Sequence, residues 1–189
     1  NFLYLRVMKR SQIKQHIIET ASALFYKQGY NLTGINEIIA ESGIAKATLY
    51  NHFKSKEDIC IAYLAYRNTS FLEEIGAYCR KQSLGEAQLL AIFDFLQLFF
   101  LDRDFNGCWC IRTAAEIPKD NERVKTEIKQ QKEAFIRLIE ALVAENSQTP
   151  QPLLAKQIYL LYEGAVAESH LHQADWPIAE AKKICERIL

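Results

Sequence analysis

An all-α fold is predicted, with about nine helices: three in an N-terminal head and the rest in a longer helical body. Apolar residues recur three and four positions apart along most of the chain, and no convincing alternating run marks a strand. Gly and Pro are scarce, seven and four in 189 residues, while 49% of the chain is hydrophobic, so long helices and a sizeable core are expected. The third observation is local: residues 33–53, TGINEIIAESGIAKATLYNHF, read as two short helices joined by a tight turn.

The first helix is expected to open at Ser11 and to bury Ile13, Ile17, Ala21, Leu24 and Phe25, with Gly29 just past its end. Lys9, Arg10 and Lys14 lie near its start, where cations oppose the helix dipole; an approaching phosphate or simple solvation would each account for them. Thr33 is expected to cap the second helix with its hydroxyl. Ile35, Ile38 and Ile39 form its buried stripe, and Gly43 stops it by entering the left-handed conformation without a side-chain penalty. Ile44 plugs the turn. The third helix then runs from Lys46 to Phe53 with Leu49 and Phe53 inward. That leaves Lys46, Thr48, Tyr50, Asn51 and His52 as a polar, aromatic and cationic face. A helix-turn-helix of this kind places its second helix in the major groove, so residues 1–55 are read as a DNA-binding domain.

Ser55 with Asp58 three residues on resembles a capping box and opens a long fourth helix, reaching about Tyr78, that leaves the head and enters the body. Further helices are expected over 87–102, 108–117, 121–146, 153–172 and 178–189. Pro118 closes the second of these, a loop at 148–152 precedes the fourth, and Pro177 suits the first turn of the last. The body, residues 56–189, is read as an effector-binding and dimerisation domain.

Net charge is zero but unevenly placed. Residues 1–56 hold eight Lys/Arg against three acids, +5, and the remaining 15 basic and 20 acidic residues give −5. A basic head on an acidic body suits DNA contact at one end. Five cysteines without a CxxC pair fit a reducing compartment, no stretch is long enough to span a bilayer, and a cytoplasmic location is expected. Residues 1–7 before Met8 are read as an upstream extension or a remnant.

Thr33 with Ile35, Ile38, Ser42-Gly43-Ile44, Lys46, Thr48-Leu49-Tyr50, His52-Phe53 and Ser55-Lys56-Glu57 resemble the N-terminal signature of TetR-family transcriptional regulators, over about residues 11–63. Gly107-Cys108 with Glu116 is a weaker echo of a segment in the family's body. The resemblance implies a homodimer paired through its last two helices into a four-helix bundle, a pseudo-palindromic DNA operator, and a small-molecule effector that shifts the fourth helix. Repression is the family's default. It also implies DNA contacts by Thr33, Lys46, Thr48, Tyr50, Asn51, His52 and Lys56, with Lys46 and Asn51 nearest the base edges. Ala45 departs from a usual Ser or Thr, removing a side-chain cap, and Ile39 replaces a usual Ala.

In the body, Tyr63, Tyr66, Phe93, Phe100, Trp109, Phe135, Tyr159 and Tyr162 read first as core, yet Arg67, Gln97, Arg112, Thr113 and Glu163 fall among them. These residues, Phe100 apart, are taken as the candidate effector lining. Two other constellations stand out in the body. Cys108 and Cys110 flank Trp109, but residues two apart on a helix point away from each other. Glu168 and His172 share a helix face and could hold a divalent metal, although a solvated helix end explains them as well. No cofactor or metal is expected. Small residues Gly164, Ala165 and Ala167 suit a close helix seam. No GxSxG, GxxxxGK or HExxH is present, so an enzyme is not expected. The alternatives are a thiol- or metal-sensing regulator and a helical interaction protein whose head no longer binds DNA.

Overall fold

The computed structural model describes residues 9–147 and 151–189, so the reading of residues 1–7 and part of the 148–152 loop lie outside it. Among the described residues there are nine helices and no strand: α1 Arg10–Gln28, α2 Ile35–Ser42, α3 Lys46–His52, α4 Lys56–Arg80, α5 Glu86–Leu101, α6 Trp109–Glu116, α7 Glu122–Asn146, α8 Leu154–His172 and α9 Trp176–Ile188. No helix is long and apolar enough to cross a membrane.

These residues fall into two compact units. One holds the described residues up to Asn68 with Trp109–Lys129, and the other holds Thr69–Cys108 with the described residues from Gln130 to Leu189. α4 and α7 each contribute to both.

In the first unit, Ile17, Ala21 and Phe25 of α1 are buried with Ile38 of α2, Leu49 of α3 and Ile59 of α4. The His16 ring donates from Nε2 to the Ser42 carbonyl (3.0 Å), fixing α1 against the end of α2. Gly43 closes α2 in the left-handed region at φ 66°, as its position in the sequence demanded. The start of α2 differs from expectation. Gly34 holds the N-cap position, and the Thr33 hydroxyl donates backwards to the Gly29 carbonyl (2.7 Å). The Glu37 carboxylate accepts the Gly34 N–H instead (3.3 Å), supplying from within the helix what Thr33 does not. The start of α4 is as expected in part: the Ser55 hydroxyl accepts the Asp58 N–H (3.1 Å), while Asp58 reaches back to the N–H of Lys54 (3.1 Å).

The second unit is built on one apolar cluster drawn from α4, α5, α7, α8 and α9, including Ile75, Ile92, Phe93, Leu96, Ile139, Leu142, Ile158 and Cys185. Phe135 and Tyr162 pack edge to face at 4.9 Å, and Phe71 meets Phe135 at 5.0 Å. At the far end of α7 the Asn146 side chain accepts the N–H of Gly85 (2.6 Å) and donates to Gln88 (2.9 Å).

Candidate nucleic-acid interface

The geometry of α3 follows from its period. Leu49 and Phe53 point into the unit at 0% and 4% exposure, and Ile44 seals the turn before them. The opposite face is then outward by necessity: Lys46, Tyr50 and Asn51 are exposed, and Thr48 and His52 are half-buried. Ala45 stands in the N-cap position in an extended conformation and, as its sequence position foretold, supplies no side-chain hydrogen bond.

Basic side chains gather at the C-terminal end of α3. Lys14, His52 and Lys54 line a cleft of about 730 Å³ whose apolar floor includes Phe53, Ile61 and Ala62. Lys14 Nζ stands 5.7 Å from the centre of the Phe53 ring. Partial burial, with Arg10 and Lys14 nearby, holds the His52 imidazole below its ordinary value, so it is neutral near pH 7. Arg123, at the edge of the same cleft, is committed to Glu57 and to Asp58 (2.8 Å).

Thr33 does not join this face. It is fully buried, and its one proton is donated to Gly29, so it has neither surface nor donor to offer a phosphate. Lys56 lies with its ammonium 4.2 Å over the Tyr30 ring, and its pKa is lowered chiefly by burial.

α6 is tied to α1 and to the residues that follow it within the same unit. The Glu116 carboxylate accepts the Asn31 N–H (2.7 Å), and its carbonyl accepts from the Asn31 side chain (3.0 Å). Gly29, at φ 91°, leaves room for that carboxylate, which a Cβ there would strike. Arg112 donates to the Tyr26 carbonyl (2.6 Å), while Arg67 lies 4.1 Å over the Tyr26 ring and 5.3 Å from that of Trp109.

The candidate effector residues divide between the units. Tyr63, Tyr66, Arg67, Trp109, Arg112 and Thr113 belong to the first, where Tyr63, Trp109 and Thr113 are buried and the two arginines are engaged at Tyr26. Phe93, Gln97, Phe135, Tyr159, Tyr162 and Glu163 belong to the second. There Phe93 is fully enclosed in the core, and Gln97 donates to Asp175 (3.2 Å). Glu163 receives both its bonds from Lys132 Nζ, at 2.6 and 2.7 Å. Burial nonetheless pushes its carboxyl above the ordinary range, with Lys132 pulling the other way.

Lys132 was not singled out in the sequence, yet its signal is there: it lies four residues after Ile128 and three before Phe135, both buried, on the inward stripe of α7. Glu168 and His172 do pair (3.2 Å), both about half exposed, and no cluster of three or more metal-ligating side chains occurs among the described residues.

A helix-turn-helix with an outward polar face, in an all-helical chain of this order, defines a DNA-binding transcriptional regulator. The family model described as bacterial regulatory proteins, tetR family, matches residues 17–63. The chain is 21% identical over 178 residues to the HTH-type transcriptional repressor DhaR of Mycobacterium sp. (strain GP1), covering 90% of this chain and 89% of that one. It is 24% identical to the fatty acid metabolism regulator protein of Bacillus subtilis (strain 168), covering 75% and 72%. Among solved structures, SCO4454, a TetR-family regulator from Streptomyces coelicolor, superposes with a TM-score of 0.82 at 23% identity, covering 94% of each chain. The reduced form of NemR from E. coli superposes with a TM-score of 0.80 at 20% identity, covering 93% of this chain and 96% of that one. Residues 17–63 thus carry the DNA-binding module of the tetR family, and the chain as a whole shares the fold of TetR-family regulators.

Proposed function

We propose that the chain is a ligand-responsive repressor that binds a pseudo-palindromic operator as a homodimer and is released by a small-molecule effector in the cytoplasm. The observation that carries this reading is the outward face of α3, where Lys46, Tyr50 and Asn51 are exposed above a fully buried Leu49. Lys46 and Asn51 read base edges; Thr48, Tyr50 and His52 hold phosphates, and Lys56 lies close behind them. Residues 1–55 act as the DNA-binding domain and 56–189 as the effector-binding and dimerisation domain, with α4 common to both tasks. An effector need only bind one state of the protein better than the other to shift the population. A relative named as a repressor supports the repressor half of this reading.

The test is fluorescence anisotropy of the purified protein on the DNA upstream of its own gene, across a salt series. Tight, salt-dependent binding of two chains per palindrome is expected. Lys46→Ala should weaken specific binding by about 1–3 kcal/mol and relax base preference, and Tyr50→Ala should weaken binding more evenly across sequences. Unchanged affinity in both variants would remove α3 as the recognition helix.

A further inference from the structure

One cleft in the first unit has two kinds of wall, and DNA contact accounts for only one of them. It has a volume of about 730 Å³ and lies among α1, the end of α3, the first turns of α4 and Arg123 of α7. Lys14 and Lys54, both exposed, form its basic wall together with the half-buried His52. The carboxylate that lines it, Asp58, is already engaged by Arg123 (2.8 Å) and by the Lys54 N–H (3.1 Å), so the cleft keeps a surplus of positive charge. The other wall is carbon. Ile61, Ala62 and Ala65 share one face of α4 by their spacing and join Phe53 there. Lys14 Nζ, 5.7 Å from the centre of the Phe53 ring, stands where the two walls meet. A DNA backbone is charged along its whole length and gains from the cations, but it has no use for the carbon.

We propose that this cleft is a small-molecule site in the DNA-binding head itself, separate from any effector site in the body, and that it takes an apolar monoanion: an aromatic skeleton carrying one carboxylate or sulfonate. The anionic group is held by Lys14 and Lys54, with the neutral His52 ring as a further N–H donor, while the skeleton covers Phe53, Ile61 and Ala62. An aromatic skeleton suits the Phe53 ring. A neutral molecule would use only the carbon wall and inorganic phosphate only the basic one. The cleft joins the two, and an amphipathic anion uses both. Its volume falls within the roughly 300–1,000 Å³ of small-molecule sites. His52 is also a phosphate contact in the proposed operator complex, so ligand and operator exclude each other. Only that consequence rests on the DNA-binding reading. It differs in kind from the action of an effector in the body, whose effect is limited by its coupling free energy, whereas direct competition has no such limit.

The full chain is titrated with 8-anilinonaphthalene-1-sulfonate, an aromatic monoanion whose fluorescence rises on leaving water, and with N-phenyl-1-naphthylamine, the same skeleton without the sulfonate. Lys14→Gln combined with Lys54→Gln should weaken binding of the sulfonate about tenfold, as the loss of two exposed charge pairs allows, and leave the neutral dye unchanged. Ala62→Trp, which fills the carbon wall, should weaken the sulfonate to a similar degree. Circular dichroism checks that each variant is folded, and the two lysines, being exposed, decide the matter if Ala62→Trp is not. Sulfonate affinity that the lysine pair leaves unaltered would place the dye elsewhere and overturn the site. On labelled upstream DNA, the apparent Kd for DNA should rise in proportion to the sulfonate concentration without levelling off. A plateau, or no effect, would overturn the exclusion of operator by ligand. Loss of sulfonate binding in the lysine variant, beside an untreated chain that binds no DNA, would leave the site standing and sink the regulator reading alone.

Discussion

Two residues on and beside the recognition helix carry testable physics of their own. His52 is held below its ordinary value by partial burial and by Arg10 and Lys14. A bound phosphate would offset those cations and favour the charged ring, so DNA binding at this residue takes up a proton. The sign follows: the free protein starts to protonate His52 only below its ordinary value of about 6.5, while the complex protonates it earlier. Operator affinity is therefore expected to rise as pH falls through that region, and His52→Gln should flatten the rise, as read by anisotropy between pH 5.5 and 8. Ala45 is the second case. It has the extended backbone of an N-cap without the oxygen, so Ala45→Ser should stabilise the head by about 0.5–2 kcal/mol in urea unfolding. That gap was legible because capping depends on one residue type at one position. Thr33 was not legible. Its hydroxyl had two partners within reach, the N–H donors of the helix start ahead and the Gly29 carbonyl acceptor behind, and tertiary burial chose the second.

At the scale of elements, helix order, termini and glycine stops could be read from the 3.6-residue period, and ends differed from expectation by only one or two residues. What the period could not supply is how helices distant in sequence are joined by polar groups. Glu116 and Asn31 stand 85 residues apart, and nothing in either segment announces the other. Arg123 with Glu57 and Asp58 is similar in kind but weaker in effect. Arg123 is 63% exposed, so solvent screens the pair and its loss should leave the urea midpoint almost unchanged. The Glu116 contact is the more demanding one because Gly29 has been shaped around it. Gly29→Ala combines a positive φ with a collision against the Glu116 carboxylate, and should cost more than about 1 kcal/mol. Glu116→Ala alone forfeits the one hydrogen bond from the exposed Asn31 N–H, about 0.5–1.5 kcal/mol. The double variant should be less destabilised than the sum of the two, because the collision partner is gone. Strict additivity in chemical unfolding would show that the carboxylate does not occupy that space.

At the scale of the molecule, the charge asymmetry and the surface of the last two helices bear on assembly. The head's +5 against the remainder's −5 was legible in composition, and it makes binding strongly dependent on salt. The seam of the proposed dimer is an inference from α8. Small residues on α8 suggested it, but Ala165 is buried within the chain, whereas Gly164 and Ala167 face outward. Around them on α8, Leu160 and Leu171 are 68% and 72% exposed, and a Cβ at Gly164 would meet nothing within the chain. Positions 160, 164, 167 and 171 repeat at four, three and four, a single stripe of apolar or small residues along one helix face. Trp176 and Ile184 add exposed apolar surface on α9. Such a surface in a chain that stayed monomeric would invite aggregation, and a second copy of the same stripe can cover it. Leu160→Glu and Leu171→Glu should therefore convert the proposed dimer to a folded monomer, since both side chains are mostly exposed within their own chain. Sedimentation velocity with circular dichroism reads both properties at once. Each half-operator would then be bound by a separate head, and operator affinity should fall by orders of magnitude as the effective concentration of the second head is lost. A variant that remains dimeric would place the seam on another face.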